Sequence, residues 1–191
     1  MKSQSYFEYL KGLPPVSDDE LNSAATNILS CIASQNSIWI MGNGGSASTA
    51  EHFETDLSFI RKGNSFPKIR VSALTSNSAL ISAIANDIGY ENVFSHQLFR
   101  RAEPGDLCIL ISASGNSENL LKAVSAAKEI GLITLGLLGF DGGKLMRLLN
   151  HSILVKTEIG KYGAVEDIHL AICHAISEIV SEKISTPGLH K

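Results

Sequence analysis

Ile38-Trp39-Ile40-Met41-Gly42-Asn43-Gly44-Gly45-Ser46-Ala47-Ser48-Thr49-Ala50-Glu51-His52-Phe53-Glu54-Thr55-Asp56 decides the fold. A short apolar run, a glycine turn and a helix opening on small hydroxyl residues read as strand, tight turn and helix. Glycines let backbone N–H groups approach an anion closely, and a helix N-terminus adds a favourable dipole. His52 and Asp56 stand four positions apart and so share one helix face. An anion cradle and two titratable groups in one segment point to a site for a small phosphorylated molecule.

The same alternation continues outward. Apolar runs at 37–41, 69–74, 107–111, 133–138 and 152–155 are separated by amphipathic stretches that predict helices near 46–60, 77–86, 91–101, 117–130, 142–149 and 163–184. Strands apolar throughout, each followed by a helix, indicate a parallel sheet covered on both faces. Right-handed crossovers then give a three-layer α/β/α sandwich around a five-stranded parallel sheet of flavodoxin-like kind. Upstream, Ser17-Asp18-Asp19-Glu20 supplies an N-cap and an acidic first turn for another helix, so N-terminal helices precede the sheet. The expected division is a helical segment over 1–34, packed on the core or on a neighbouring subunit, the α/β domain over 35–184, and a frayed tail over 185–191.

Composition narrows the class. Of 191 residues 44% are hydrophobic, and the net charge of −3 leaves no electrostatic footprint for nucleic acid. The pairs Arg61-Lys62 and Arg100-Arg101 read as solvated surface. No run reaches the roughly 18 apolar residues of a membrane span, and the first ten residues lack the apolar core of a signal peptide. Cys31, Cys108 and Cys173 lie far apart in apolar surroundings, as reduced core thiols of a cytoplasmic protein do.

In open α/β sheets ligands bind beyond the strand C-termini, which singles out the turns after 41, 74 and 111. The first resembles a dinucleotide fingerprint but has Ala47 where the third glycine belongs. No acidic residue follows at Ala73-Leu74, and no Gly-Lys-Ser/Thr is present, so no nucleotide cofactor is expected. The third turn, Ser112-Ala113-Ser114-Gly115-Asn116-Ser117, again joins a buried strand to a helix, with Ser117 as its N-cap. Hydroxyls and amides without Arg or Lys suit the phosphate monoester of a small molecule.

With Asn86-Asp87 and Phe140-Asp141-Gly142-Gly143-Lys144 added, these motifs resemble sugar isomerase (SIS) domains, and among them the sedoheptulose 7-phosphate (phosphoheptose) isomerases, over about residues 17–184. The resemblance implies aldose–ketose isomerisation feeding nucleotide-heptose and surface polysaccharide synthesis. It implies that Asn43, Gly44, Gly45, Asn86 and Asp87 contact the sugar, while Ser46, Ser112, Ala113, Ser114 and Ser117 hold the phosphate. It also implies a homotetramer in which a neighbour completes the site. Asp56 and His174 would be the acid–base pair. His52, Asp56, Glu166 and His174 would form a metal site for one zinc ion per subunit, and Glu166 would also reach the substrate. Three positions depart from the family: Asp56 replaces Glu, Glu166 replaces Gln, and Ala113 replaces Thr. A carboxylate one methylene shorter is withdrawn by roughly 1.5 Å.

Helix geometry alone does not choose between His169 and His174, which lie some 60° and 80° to either side of Glu166; the family alignment takes His174, leaving His169 as a helper or a contact to a neighbouring subunit. His96, His151 and His190 read as surface or strand-edge residues. The alternatives are a non-catalytic SIS module binding a sugar phosphate or a protein, of the replication-initiation-regulator type, and an isomerase of another sugar phosphate. The helices at 17–34 and 163–184 carry apolar stripes suited to bundling between subunits.

Overall fold

In a computed structural model the chain is described over residues 3–65 and 67–185. Five strands, β1 (Ser37–Gly42), β2 (Arg70–Ala73), β3 (Leu107–Ser112), β4 (Ile133–Gly139) and β5 (His151–Val155), form one parallel sheet in the order β2-β1-β3-β4-β5. Strand order reverses between β1 and β3, and the crevice above their C-terminal ends is where such sheets hold ligands. The helices are α1 (Ser3–Lys11), α2 (Asp18–Ala33), α3 (Gly45–Ser58), α4 (Ser78–Ile88), α5 (Ser95–Arg101), α6 (Glu118–Ile130) and α7 (Tyr162–Ser185).

Alternation along each strand builds two cores. Ile38, Ile40, Leu107, Ile109 and Ile111 face α2, α3 and α7, burying Ile28, Phe53, Leu57, Ile172 and Ile176. Trp39, Met41, Cys108 and Leu110 face the opposite way, against Ile84, Leu98, Leu120 and Val124 of α4, α5 and α6. All three cysteines are free and buried. At the foot of the sheet the Asp106 carboxylate, 3% exposed, accepts from the Ser37 N–H at 2.8 Å, the Trp39 indole at 2.8 Å and the Glu103 N–H at 3.0 Å. A buried anion with three donors is satisfied, and it fixes β1 against β3. Arg101 is exposed, as expected, and its guanidinium stacks 4.7 Å from the Trp39 ring.

The expected capping box closes the start of α2, where Ser17 and Glu20 exchange hydrogen bonds through side chain and backbone. Four expectations need correction. The stretch 142–149 makes only a 3-10 turn at Leu145–Arg147, because its glycines are spent on another contact described below. The stretch 91–101 is broken into a 3-10 turn at Tyr90–Asn92 and the short α5. The stripes of the two terminal helices do not wait for another subunit: Ala24, Ala25 and Ile28 of α2 are buried in one cluster with Ile172, Ile176 and Val180 of α7. Ser185 ends α7 with its hydroxyl on the Arg61 carbonyl, and the remaining expected tail, 186–191 with His190, lies outside the described residues. His96 and His151 are exposed, as expected.

Candidate active site

Two features stand out, one at the β1/β3 crevice and one between α3 and α7. The first is the serine turn after β3. Ser112 Oγ accepts the Gly115 N–H at 3.0 Å and Ser114 Oγ accepts the Asn116 N–H at 3.3 Å, which shapes the turn from within. Asn116 donates to the Ser114 carbonyl and accepts the Lys144 N–H at 3.1 Å, while the Gly115 carbonyl accepts the Leu145 N–H. The Phe140–Lys144 motif is therefore a buttress. A Cβ on Gly143 would lie 2.3 Å from the Ser114 carbonyl oxygen, so only glycine lets the two loops touch. Ser117 is the N-cap residue of α6, as expected, but its hydroxyl makes no capping bond. Ser46, Ser112, Ala113, Ser114 and Ser117 line a cavity of about 100 Å³ with Asn43, Tyr162 and Glu166, large enough for a phosphate group.

The second feature lies between α3 and α7. His52 Nε2 and His174 Nε2 are 3.0 Å apart, Asp56 Oδ1 is 3.4 Å from the former and Asp56 Oδ2 3.8 Å from the latter. Asp56 Oδ2 is buried without a hydrogen-bond partner. Three lone-pair donors thus face one another with a buried acceptor unsatisfied, the arrangement a cation resolves. Their spacings bracket the edge of about 3.3 Å expected between ligands of a tetrahedral zinc with 2.0–2.1 Å bonds. The His52 side chain is 48% exposed, leaving an open side from which a substrate could approach. A cavity of 330 Å³ opens beside Asp56 and His174, walled by Phe59, Ile60 and Ser177.

Of the four expected metal-site residues the structure groups His52, Asp56 and His174 and keeps Glu166 apart. The Glu166 carboxylate instead lies flat on Gly45, where a Cβ would be only 2.5–2.6 Å from its carboxyl atoms. His174, not His169, reaches the cluster. His169 is 0% exposed, so it touches no neighbouring subunit, and burial pushes its pKa down to about 4. The Leu138 backbone favours the charged ring a little, but neither ring nitrogen reaches a partner in full hydrogen-bond geometry. Asn86 and Asp87 are exposed in the last turn of α4, bonded to each other at 2.8 Å, and line neither cavity.

Two residues without an expected role hold Asn43 in place. Asn43 and Asn119 exchange amide hydrogen bonds at 2.9 and 2.8 Å across the β1/β3 crevice, and Tyr90 donates to Asn43 Oδ1 at 2.9 Å. Asn119 lies two residues beyond the quoted serine turn, and only its burial at 2% marks it out. Tyr90 leaves no pattern in sequence, because its partner is 47 residues away.

A parallel sheet with a serine-lined pocket at its switch point and an imidazole–carboxylate cluster between α3 and α7 is the class of site the comparisons can be set against. The model of the SIS domain family matches residues 4–139. A phosphoheptose isomerase of Aneurinibacillus thermoaerophilus is 38% identical over 88% of this chain and 86% of its own. One from Syntrophotalea carbinolica is 31% identical over 97% and 95%. The structure of a phosphoheptose isomerase from Francisella tularensis superposes with a TM-score of 0.83 at 28% identity, covering 95% of this chain and 97% of that one. The chain belongs to the SIS domain family, and its relatives within that family are phosphoheptose isomerases. No helix among the described residues is long and apolar enough to cross a membrane.

Proposed function

We propose that the chain is an aldose–ketose isomerase interconverting sedoheptulose 7-phosphate and an aldoheptose 7-phosphate, and so supplies heptose for nucleotide-heptose and surface polysaccharide synthesis. The observation that carries this reading is the His52–Asp56–His174 group, with His52 and Asp56 on the helix that follows the Gly42–Gly45 turn and His174 on α7, in a chain whose relatives are named phosphoheptose isomerases. Gly45 to His52 is seven residues, about 10 Å of helix rise. From C2 of a ketose to a phosphorus on C7 there are seven bonds, about 1.2 Å of extension each. A phosphate in the serine pocket would therefore bring the carbonyl end of a seven-carbon sugar near the histidines.

Isomerisation moves a proton between C1 and C2 through an enediol, with a base over that edge and an acid at the carbonyl oxygen. Asp56 and His174 are assigned this pair, one accepting the carbon-bound proton while the other protonates the oxygen. The buried, unpartnered Asp56 Oδ2 is free to accept. The same donors, His52, Asp56 and His174, would hold a divalent cation, zinc by the donor set, at one per subunit; when bound it supplies polarisation of the carbonyl oxygen in place of the His174 proton, leaving the second Asp56 oxygen as the proton acceptor. The serine turn anchors the phosphate and supplies binding energy remote from the reacting carbons. Asn43, held by Asn119 and Tyr90, faces the sugar, and Asn86 and Asp87 belong to its hydroxyl contacts when the site is complete.

A non-catalytic binding module would need no three converging donors. The proposed setting is a cytoplasmic homotetramer, consistent with three reduced buried thiols and with Phe59 standing 67% exposed beside the histidine cluster. Turnover of ketose phosphates of five, six and seven carbons tests the reading. The seven-carbon ketose should be preferred, and no turnover of any of them would overturn it.

A further inference from the structure

The serine pocket contains a physical conflict. Its lining offers hydroxyls and amides and no lysine or arginine, yet it includes the Glu166 carboxylate. That carboxylate lies against Gly45, the first residue of α3, a helix whose N-terminus has no side-chain cap. It makes no hydrogen bond or ion pair among the described residues, so its oxygens are uncommitted. An acidic group thus stands at the helix end that would otherwise draw an anion most strongly. Two like unit charges about 6 Å apart at an effective dielectric near 20 disfavour each other by roughly a hundredfold. Solvent reaching this half-buried group reduces that factor without removing it.

We propose that Glu166 is a specificity residue that selects sugar phosphates against bare phosphate. A bare phosphate entering among Ser46, Ser112, Ser114 and Ser117 meets the carboxylate with nothing to offset the repulsion. A phosphosugar brings hydroxyl groups on the carbons next to its phosphate, and these can donate to the free carboxylate oxygens. The same charge that excludes the abundant small anion then serves as acceptor for the correct ligand. Selectivity of this kind comes from penalising the competitor as much as from favouring the substrate. The inference rests on the serine pocket being the phosphate site proposed above.

The test is titration calorimetry at neutral pH with inorganic phosphate and with heptitol 7-phosphate, a carbonyl-free ligand that cannot turn over. Glu166→Gln should bind inorganic phosphate at least tenfold more tightly than the unsubstituted protein, and heptitol phosphate no more tightly. Glu166→Asp keeps the charge and should keep the penalty, which guards against a folding defect in the first variant. An unchanged ratio of the two affinities in Glu166→Gln, with heptitol phosphate still bound, would overturn the role of Glu166 and leave the phosphate site standing. Failure of heptitol phosphate to bind the unsubstituted protein would overturn both.

Discussion

Asp56 is the residue on which the chemistry depends most. Its Oδ2 is buried without a hydrogen-bond partner, and His52 and His174 approach the carboxylate from two helices. Removing the charge while keeping the shape, as Asp56→Asn does, should lower kcat by about 10²–10⁴, the span general acid–base groups contribute. Compared in metal-free protein, the melting temperature should change little, because the variant leaves an amide where an unsatisfied acceptor stood; steady-state kinetics beside a thermal melt of the stripped proteins checks both. His169 yields a separate prediction. Folded it titrates near 4, against about 6.5 when unfolded. Between those values the unfolded chain binds the extra proton, so stability falls as pH drops from about 6.5 towards 4 and levels off below. The amplitude is about 3 kcal/mol, and His169→Leu should flatten this part of a denaturation-versus-pH curve.

Among the elements, the turn after β3 and the loop after β4 behave as one unit. Gly143 has φ +54° and no room for a Cβ, so Gly143→Ala must displace the Ser114 carbonyl. The expected result is about 2 kcal/mol of lost stability and weaker sugar-phosphate binding, measured by chemical denaturation and calorimetry on the same protein. This coupling also explains what could be read from the chain and what could not. Strands announced themselves as short unbroken apolar runs and helices through 3.6-residue patterns, and both glycine–serine turns lay at the predicted strand ends. The stretch 142–149 looked helical because its apolar spacing is helical. Its glycines are committed to contact with the serine turn, a long-range packing fact that no local pattern encodes. Tyr90 and Asn119 were silent for the same reason, since their meaning lies in Asn43, 47 and 76 positions away. Local helix geometry did not separate His174 from His169; the family resemblance chose His174, and in three dimensions burial sets His169 apart.

At the scale of the whole molecule, the sheet divides the labour. Its β1/β3 crevice presents the anion pocket at the top, and the α3–α7 seam carries the donor cluster along the side that also buries α2. The terminal helices bury part of their stripes against each other within the chain, while Leu21 and Ile168 on them stay only partly buried and Phe59 stands exposed beside the cluster. Light scattering should return four times the 20.4 kDa chain, and a monomer at working concentration would count against the tetramer. Metal analysis of protein purified without chelator should find one zinc per chain. Stripping it should lower the melting temperature, since a ligand bound only by the folded state stabilises by mass action, and should leave His52→Ala, which holds it poorly, unaffected.

The most direct measurement of the enediol reaction is incubation with sedoheptulose 7-phosphate in deuterated water, followed by mass and NMR analysis of the sugar phosphates. Deuterium should appear at C2 of the aldoheptose 7-phosphate, and Asp56→Asn should suppress it. Sugar recovered without deuterium from ketose phosphates of five to seven carbons, by a folded and zinc-loaded protein, would contradict it.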